Sequence, residues 1–468
     1  MNHVEHTTPD AKRTLLARLL QKRLQKTAPM LAAVNGDGTG FDRFAIPAAE
    51  LAPEVTLDPA ITFDAPLATD AGEAANVFLT GATGFLGAFL VSELLEQTQT
   101  TVHCLVRCSD AEQGRERIYK VLDKFLPGTD WPADRIVPVP GDLAKPLFGL
   151  SPAAFEQLAS TIDVVYHNGA MVHGLYTYPQ LKPTNVLGTQ ESIRLAAQHR
   201  LKALHYVSTV AACPFEDRFE VKVVREQPLD TEGLLYSGYC QSKWVAEQTV
   251  LAARERGLPV CIYRPGIITG HSETGAWSTG DATCRVIKVT VDSGIVPDVE
   301  GAADMTPVDY VSKALVYLSR SSRCIGQIYH LANPTPAEGK DLTSWVRTSG
   351  YPLRQVPYEE WRSEMVTLAN RSDKNPLAAF APLFSTVVSD RIPGWMTGMM
   401  TTTYKDGVDR VIRAIGARYG AQSVQLDCTN ALRDLSGTGI SCPAVDETLL
   451  NTYFAYFVRI GYLDAPAH

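Results

Sequence analysis

The chain has 468 residues, enough for two or three domains of ordinary size. Hydrophobic residues make up 45% and charged residues 20%, which excludes a disordered, collagenous or membrane-filling chain. With 43 Lys and Arg against 51 Asp and Glu the formal charge is −8, so a nucleic-acid backbone is repelled on average, and no basic patch surrounds the chemistry described below.

The N-terminus lacks the apolar core of a signal peptide, and no later stretch of 18 residues runs without charges or loop signals, so neither secretion nor membrane spanning is expected. Nine cysteines are scattered singly, without C-x-x-C spacing, as free thiols in a reducing cytoplasm. Residues 11–26 carry Leu15, Leu16, Leu19, Leu20 and Leu24 at helical spacing with only basic charges. They predict a surface helix, with docking of an acidic partner as the other reading. A Gly-rich stretch (32–42) and a Pro/Ala-rich segment follow, so residues 1–72 read as an arm and linker.

From Asn76 short apolar runs alternate with helical segments: 77–80, 101–107, 135–142, 164–170, 203–209 and 259–266. This rhythm predicts an α/β fold, a Rossmann-like doubly wound parallel sheet with helices on both faces. Residues 305–333 add a helix and strand to it, giving an expected Rossmann domain of 73–275 plus 305–333. Residues 276–304 and 334–468 are expected to form a smaller, mostly helical substrate lobe.

The string VFLTGATGFLG puts Gly81, Gly84 and Gly87 directly after a strand and at the opening of an amphipathic helix. Glycines there let the backbone approach a diphosphate, which the free N–H groups of the helix then stabilise. Thr80, Gly81, Thr83, Gly84, Phe85, Leu86 and Gly87 are the candidate contacts. The second strand ends at Arg107, where an NAD-selective site usually carries an acid. A cation favours the 2′-phosphate of NADPH, and Arg117 in the next helical stretch is a candidate second cation.

Thr209 ends a later strand in YVST, and Tyr239 and Lys243 in YCQSK share one helical face. A nearby ammonium lowers the phenol pKa and makes Tyr239 a usable proton donor, while the Thr209 hydroxyl can bind an oxygen on which negative charge grows. Cys240 lies off that face, and Cys213 follows the strand; both read as core or loop thiols, with covalent thioester capture as the alternative. His167 and His173 lack partners at metal-ligand spacing and read as structural, so no metal is indicated. Ser208 has no G-x-S-x-G context, which disfavours a hydrolase.

The G-x-x-G-x-x-G spacing followed by HNGA (167–170) and Y-x-x-x-K resembles the extended short-chain dehydrogenase/reductase superfamily. That resemblance implies that Asp142 and Leu143 in PGDL meet the adenine, that Asn168 belongs to a backbone platform under the cofactor, and that Asn185 in NVLGT stabilises the platform. Across roughly residues 53–465 the chain further resembles the terminal thioester reductase domains of nonribosomal peptide and polyketide synthetases and of carboxylic acid reductases. The matching segments are EVTLDPAIT (54–62), FLTGATGFLG, VYHNGAMVHGLYTYPQLKPTNVLGT (165–189), YSGYCQSKWVAE (236–247), IYRPGIITGHSETG (262–275) and TGISCPAVDETLLNTYFAYFVRIGYL (437–462). The last is the most discriminating, since sugar-nucleotide epimerases would not share it.

The resemblance implies NADPH-dependent reduction of a phosphopantetheine-linked acyl or peptidyl thioester to an aldehyde and a carrier thiol, with some aldehydes taken on to alcohols. Family members usually follow a carrier domain with a G-x-D-S-L type motif, and none precedes residue 76. The chain therefore reads as an enzyme served in trans or as a domain of a longer synthetase, and Met1 mildly favours the former. The competing functions are a fatty acyl-CoA reductase, a sugar-nucleotide epimerase or ketone reductase, and an NADP sensor without turnover.

Overall fold

In the computed structural model seven apolar runs assemble into one parallel sheet. The structure describes residues 45–68, 74–174, 176–214, 222–298, 302–357, 360–361, 363–364, 367–368 and 424–466. The basic helix expected at 11–26 and the Gly-rich stretch at 32–42 lie outside them.

The elements that build the site are β1 (Asn76–Thr80), α1 (Phe85–Gln97), β2 (Thr101–Val106), α2 (Ala111–Phe125), β3 (Ile136–Pro140), α3 (Pro152–Thr161), β4 (Val164–His167), α4 (Tyr178–Lys182) and α5 (Gly188–Ala197). They continue with β5 (Ala203–Val207), α6 (Ser237–Glu255), β6 (Val260–Pro265), α7 (Ala282–Ser293), α8 (Val308–Ser319), β7 (Ile328–Leu331), α9 (Thr429–Leu435) and α10 (Glu447–Arg459). The strand order is β7-β6-β5-β4-β1-β2-β3, and every adjacent pair is parallel. Chain order reverses direction between β1 and β4, and this switch point opens a crevice at the carboxyl ends of the strands.

The runs are continuous rather than alternating because both faces of the sheet are covered. Successive side chains leave opposite faces. Val77, Leu79, Val164, Tyr166, Cys261 and Tyr263 enter one core with α1, α2 and α8. Phe78, Val165, Leu204, Tyr206, Val260 and Ile262 enter the other with α3, α5 and α6. The C-terminal lobe is built around α10, whose Tyr453, Phe454 and Phe457 pack with Trp277 and Trp345. The Tyr453 hydroxyl ties this lobe to the Rossmann unit by donating to the Gly270 carbonyl at 2.9 Å and by a 2.9 Å hydrogen bond with the Thr269 hydroxyl.

Two boundaries differ from the sequence-based expectation. Residues 45–68, read as linker, are a packed strap: Ala45–Pro47 pairs antiparallel with Leu234–Tyr236, Ala48 and Leu51 are buried near α6, and Ile61 enters the second core. Their apolar positions are too sparse to show a period, which is why composition alone suggests a linker. Residues 424–442, read as part of the lobe, start on the Rossmann unit instead. Val424–Leu426 pairs with Lys222–Val224, and Ala431 and Leu435 of α9 enter the first core. No described helix is long and apolar enough to cross a membrane.

Candidate active site

The Gly-rich turn leaves β1 at Thr80 and enters α1 at Phe85. Gly81 has φ +77°, and a Cβ there would meet the Gly169 main chain at 2.8 Å and the Asn168 amide at 3.0 Å. Gly87 faces the turn from inside the helix, where a Cβ would lie 1.9 Å from the Gly81 carbonyl oxygen. Helix and strand end therefore touch main chain to main chain. The Gly84 N-cap provides no side-chain cap, and the first turn of α1 carries no acid. A cradle narrowed to bare backbone with uncapped N–H groups fits a dinucleotide diphosphate. The side chains of Phe85 and Leu86 point elsewhere: Phe85 packs edge-on against Phe89 and Phe125, and Leu86 is buried in the first core. Only their backbone is available to a ligand; Thr83 is half-buried in the turn.

A directed chain of hydrogen bonds holds the turn to β4. The Gly169 N–H donates to Thr80 Oγ1 at 2.8 Å, Thr80 Oγ1 lies 2.8 Å from His167 Nδ1, His167 Nε2 lies 2.9 Å from Thr189 Oγ1, and Thr189 donates to the Asn185 carbonyl at 2.7 Å. With Thr189 donating, the imidazole must carry its proton on Nε2 and accept from Thr80 on Nδ1. Burial, helped by the charge of Lys243, pushes His167 down to about 3, so it is neutral and its tautomer is set. Asn185 then grips the chain just beyond the platform: its Oδ1 accepts from the Met171 N–H at 2.7 Å, and its Nδ2 donates to the Met171 carbonyl at 3.0 Å and to Ser242 Oγ at 2.9 Å. Ser242 donates to the Tyr239 carbonyl at 2.9 Å, which joins the platform to α6.

Tyr239 and Lys243 lie one turn apart at the start of α6, Tyr239 half-buried and Lys243 only 3% exposed. The Lys243 ammonium donates to the Val207 carbonyl at 2.8 Å and sits 4.3 Å from the centre of the Tyr206 ring. Burial lowers its pKa to about 7, with Glu247 pulling the other way. Two residues past Val207, the Thr209 hydroxyl accepts from the Ala211 N–H at 3.1 Å, which leaves its own proton to donate. The neighbouring Ser208 is buried, and its hydroxyl is spent on Glu247.

Just past β2, Arg107 is exposed, and Arg117 donates from its guanidinium to the Arg107 carbonyl, which brings the Arg117 side chain to the end of that strand. Asp142 follows β3 in a tight turn, with one carboxylate oxygen accepting from the Ala144 N–H at 3.0 Å. Leu143 lies against Gly169 and Gly188, where added Cβ atoms would meet it at 3.0 Å and 2.6 Å. It thus belongs to the underside of the platform.

The other reactive residue types stay apart from this arrangement. Cys240 is buried in a cluster with Leu235, Trp244 and Val245, and its thiol lies 3.2 Å from the Ser237 hydroxyl. Cys213 is buried, and the His173 ring stacks on Tyr176 at 3.7 Å. Among the described residues His205, Cys261 and Cys324 bring ligand-type atoms within 4.8 Å of one another. Burial pushes the Cys261 thiol up and His205 down to about 3, so those two are neutral core groups.

Sequence reasoning missed the most buried ion pair near the site. Arg264 on β6 and Glu247 on α6 are both fully buried, with Nη2 and Oε1 2.5 Å apart. The signal that was present, a glutamate four residues after Lys243, reads as an ordinary helix-surface pair until the packing of α6 on β6 is known.

Comparison with known proteins matches residues 79–315 to the NAD-binding family model described as male sterility protein. The chain is 40% identical over 421 residues to a linear gramicidin synthase of Brevibacillus parabrevis, an alignment spanning 89% of this chain and 8% of that protein. It is 32% identical over 409 residues to the L-2-aminoadipate reductase large subunit of Penicillium chrysogenum, 83% of this chain and 28% of that one. These curated relatives are thus far longer than the segment they share. Among solved structures, the terminal R domain from the myxalamid PKS-NRPS biosynthetic pathway superposes with a TM-score of 0.77 at 41% identity, covering 90% of this chain and 100% of that one.

Proposed function

The chain belongs to the male sterility type of NAD-binding domains and, within it, to the terminal reductase domains of peptide and hybrid polyketide-peptide synthetases, and on that premise we propose that it reduces a carrier-bound acyl or peptidyl thioester to an aldehyde with NADPH. The observation that carries this reading is the buried Lys243, whose ammonium is fixed on the last residue of β5, two residues before Thr209, and stands one turn from Tyr239.

The residues fit a dinucleotide. The turn from Thr80 to Gly87 would hold the diphosphate, Arg107 with Arg117 the 2′-phosphate, Asp142 with the Leu143 main chain the adenine side, and Asn168, Tyr239 and Lys243 the nicotinamide half. When bound, the dihydronicotinamide supplies a hydride. The chain's own groups handle the oxygen. Thr209 donates its free proton to the thioester carbonyl, and Tyr239 protonates that oxygen as negative charge develops on it. In its protonated form the desolvated Lys243 lowers the cost of ionising the phenol. The resulting thiohemiacetal collapses by breaking its C–S bond, its hydroxyl proton passing to the departing sulfur, so that aldehyde and free thiol are released. A second round takes some aldehydes on to alcohols.

The substrate is presented by a carrier protein, either a separate chain or a neighbouring domain of a longer synthetase. A reducing compartment, the cytoplasm, suits nine cysteines scattered without C-x-x-C spacing. The test is incubation with NADPH and a panel of thioesters, with products identified by mass spectrometry. Aldehyde and thiol from carrier-bound substrate, at higher kcat/KM than from the same acyl-CoA, are expected. A preference for acyl-CoA across several chains would make the protein an acyl-CoA reductase. Conversion of a sugar nucleotide without net NADPH consumption would make it an epimerase, and binding without turnover a sensor.

A further inference from the structure

We infer that Glu247 is a positioning residue of this site, acting through Ser208 on Thr209; the inference rests on the reading of Thr209, Tyr239 and Lys243 given above. Three elements meet at its carboxylate. Glu247 comes from α6, one turn after Lys243. Arg264 comes from the end of β6 and reaches Oε1 from Nη2 at 2.5 Å and from Nε at 3.1 Å. Ser208 comes from the end of β5 and donates to Oε2. The Ser208 main chain is also tied down, its N–H donating to the Tyr263 carbonyl at 2.7 Å. With both its backbone and its side chain held, Ser208 sets the direction in which the extended Thr209 leaves the strand (φ −165°, ψ 148°).

The guanidinium cannot swing away. Its remaining donors reach the Gln227 carbonyl at 2.8 Å, the Arg225 carbonyl at 3.4 Å and His330 Nε2 at 3.1 Å. A buried ion pair contributes little stability beyond that of well-packed apolar side chains of the same volume, so fold stability alone does not account for this one. What it provides is geometry. One carboxylate contacts the strand end that bears the oxyanion donor and rides on the helix that bears the proton donor, which fixes their separation to the tolerance that catalysis needs. The same arrangement commits the Ser208 hydroxyl to Glu247 and so leaves Thr209 as the hydroxyl available to a substrate oxygen.

The experiment measures Ser208→Ala, Thr209→Val and the double variant on an acyl-pantetheine thioester and, separately, on an aldehyde, with NADPH affinity determined for each. Ser208→Ala is the informative change because it removes the linking hydrogen bond without stranding a buried charge. It should lower kcat about ten-fold, leaving KM and NADPH affinity within about two-fold. In the Thr209→Val background the same change should cost less than about two-fold in kcat, because the group it acts through is gone. Glu247→Gln should also lower kcat, with an added loss of stability from the stranded Arg264; if it does not fold, the Ser208 cycle decides alone. Equal penalties in both backgrounds, or wild-type kcat in Ser208→Ala, would overturn the inference. A wild type that reduces the aldehyde but no thioester would overturn the proposed substrate class instead, and the aldehyde cycle would still decide the role of Glu247.

Discussion

Replacing Gly87 with alanine tests how the nucleotide turn is built. The new Cβ would lie 1.9 Å from the Gly81 carbonyl oxygen, 2.8 Å from its carbonyl carbon and 2.9 Å from Ala82 Cα. All three are main-chain atoms and cannot rotate aside. The first turn of α1 must therefore move off the strand end by about 1 Å, and overpacking of this kind costs roughly 1–3 kcal/mol of stability. The same displacement carries the helix N–H groups away from the diphosphate; at roughly 1.5–3 kcal/mol per hydrogen bond to a charged group, losing one or two weakens NADPH binding by about 10²-fold. Gly84 provides the contrast. A Cβ there lies 3.2 Å from the same oxygen, a tight contact that a shift of a few tenths of an ångström relieves, and φ is −91°, which alanine adopts readily. Gly84→Ala should therefore cost much less stability than Gly87→Ala and lose affinity chiefly through direct obstruction of the ligand. Urea unfolding and calorimetric titration with NADPH separate the two effects. Wild-type stability in Gly87→Ala, or an equal loss of stability in both variants, would refute this account of the turn.

Arg107→Ala should raise the NADPH dissociation constant about ten-fold or more, from roughly 1.5–3 kcal/mol per contact to phosphate, and barely change that of NADH. Titration of the wild type with both cofactors must first show the preference, and equal affinities would end the argument for a 2′-phosphate site. Lys243 is lowered from its ordinary 10.5 to about 7 in the folded chain, so between those values the unfolded chain binds the extra proton and its contribution to stability rises with pH. Without cofactor, the melting temperature of the wild type should gain on that of Lys243→Met from pH 7 to pH 10; a difference independent of pH would show that the ammonium is not desolvated. Thr80→Val strands the buried Gly169 N–H and breaks the relay through His167, so it should cost about 1–3 kcal/mol in denaturant unfolding, and an undiminished midpoint would mean that the relay carries no stability.

What could be read directly from the residues was what depends on local rules. The seven strands announce themselves because a doubly covered parallel sheet demands unbroken apolar runs, and Val260–Pro265 is buried along its whole length. The glycine turn is legible because Gly84 and Gly87 answer close approaches within the turn itself, although Gly81 answers the distant Gly169 main chain. Tyr239 and Lys243 are legible because four residues make one helical turn. Glu247 is separated from Lys243 by the same interval, yet its meaning was hidden: whether that face of α6 meets water or Arg264 is decided by how the helix lies on a strand that comes later in the chain. The strap at 45–68 was hidden for a related reason. An extended segment buries a side chain only where a groove happens to pass beneath it, so Ala48, Leu51 and Ile61 follow the contour of the partner surface rather than any period of their own. The carboxyl end of the chain obeys the same logic, since α9 reads as one more short helix until Ala431 and Leu435 are seen against the sheet. The groups that perform the proposed chemistry therefore lie on short-range patterns, whereas the groups that hold them at working distance are joined by tertiary contacts, and it is at that second set, beginning with Ser208 and Glu247, that mutation separates a merely folded chain from an active one.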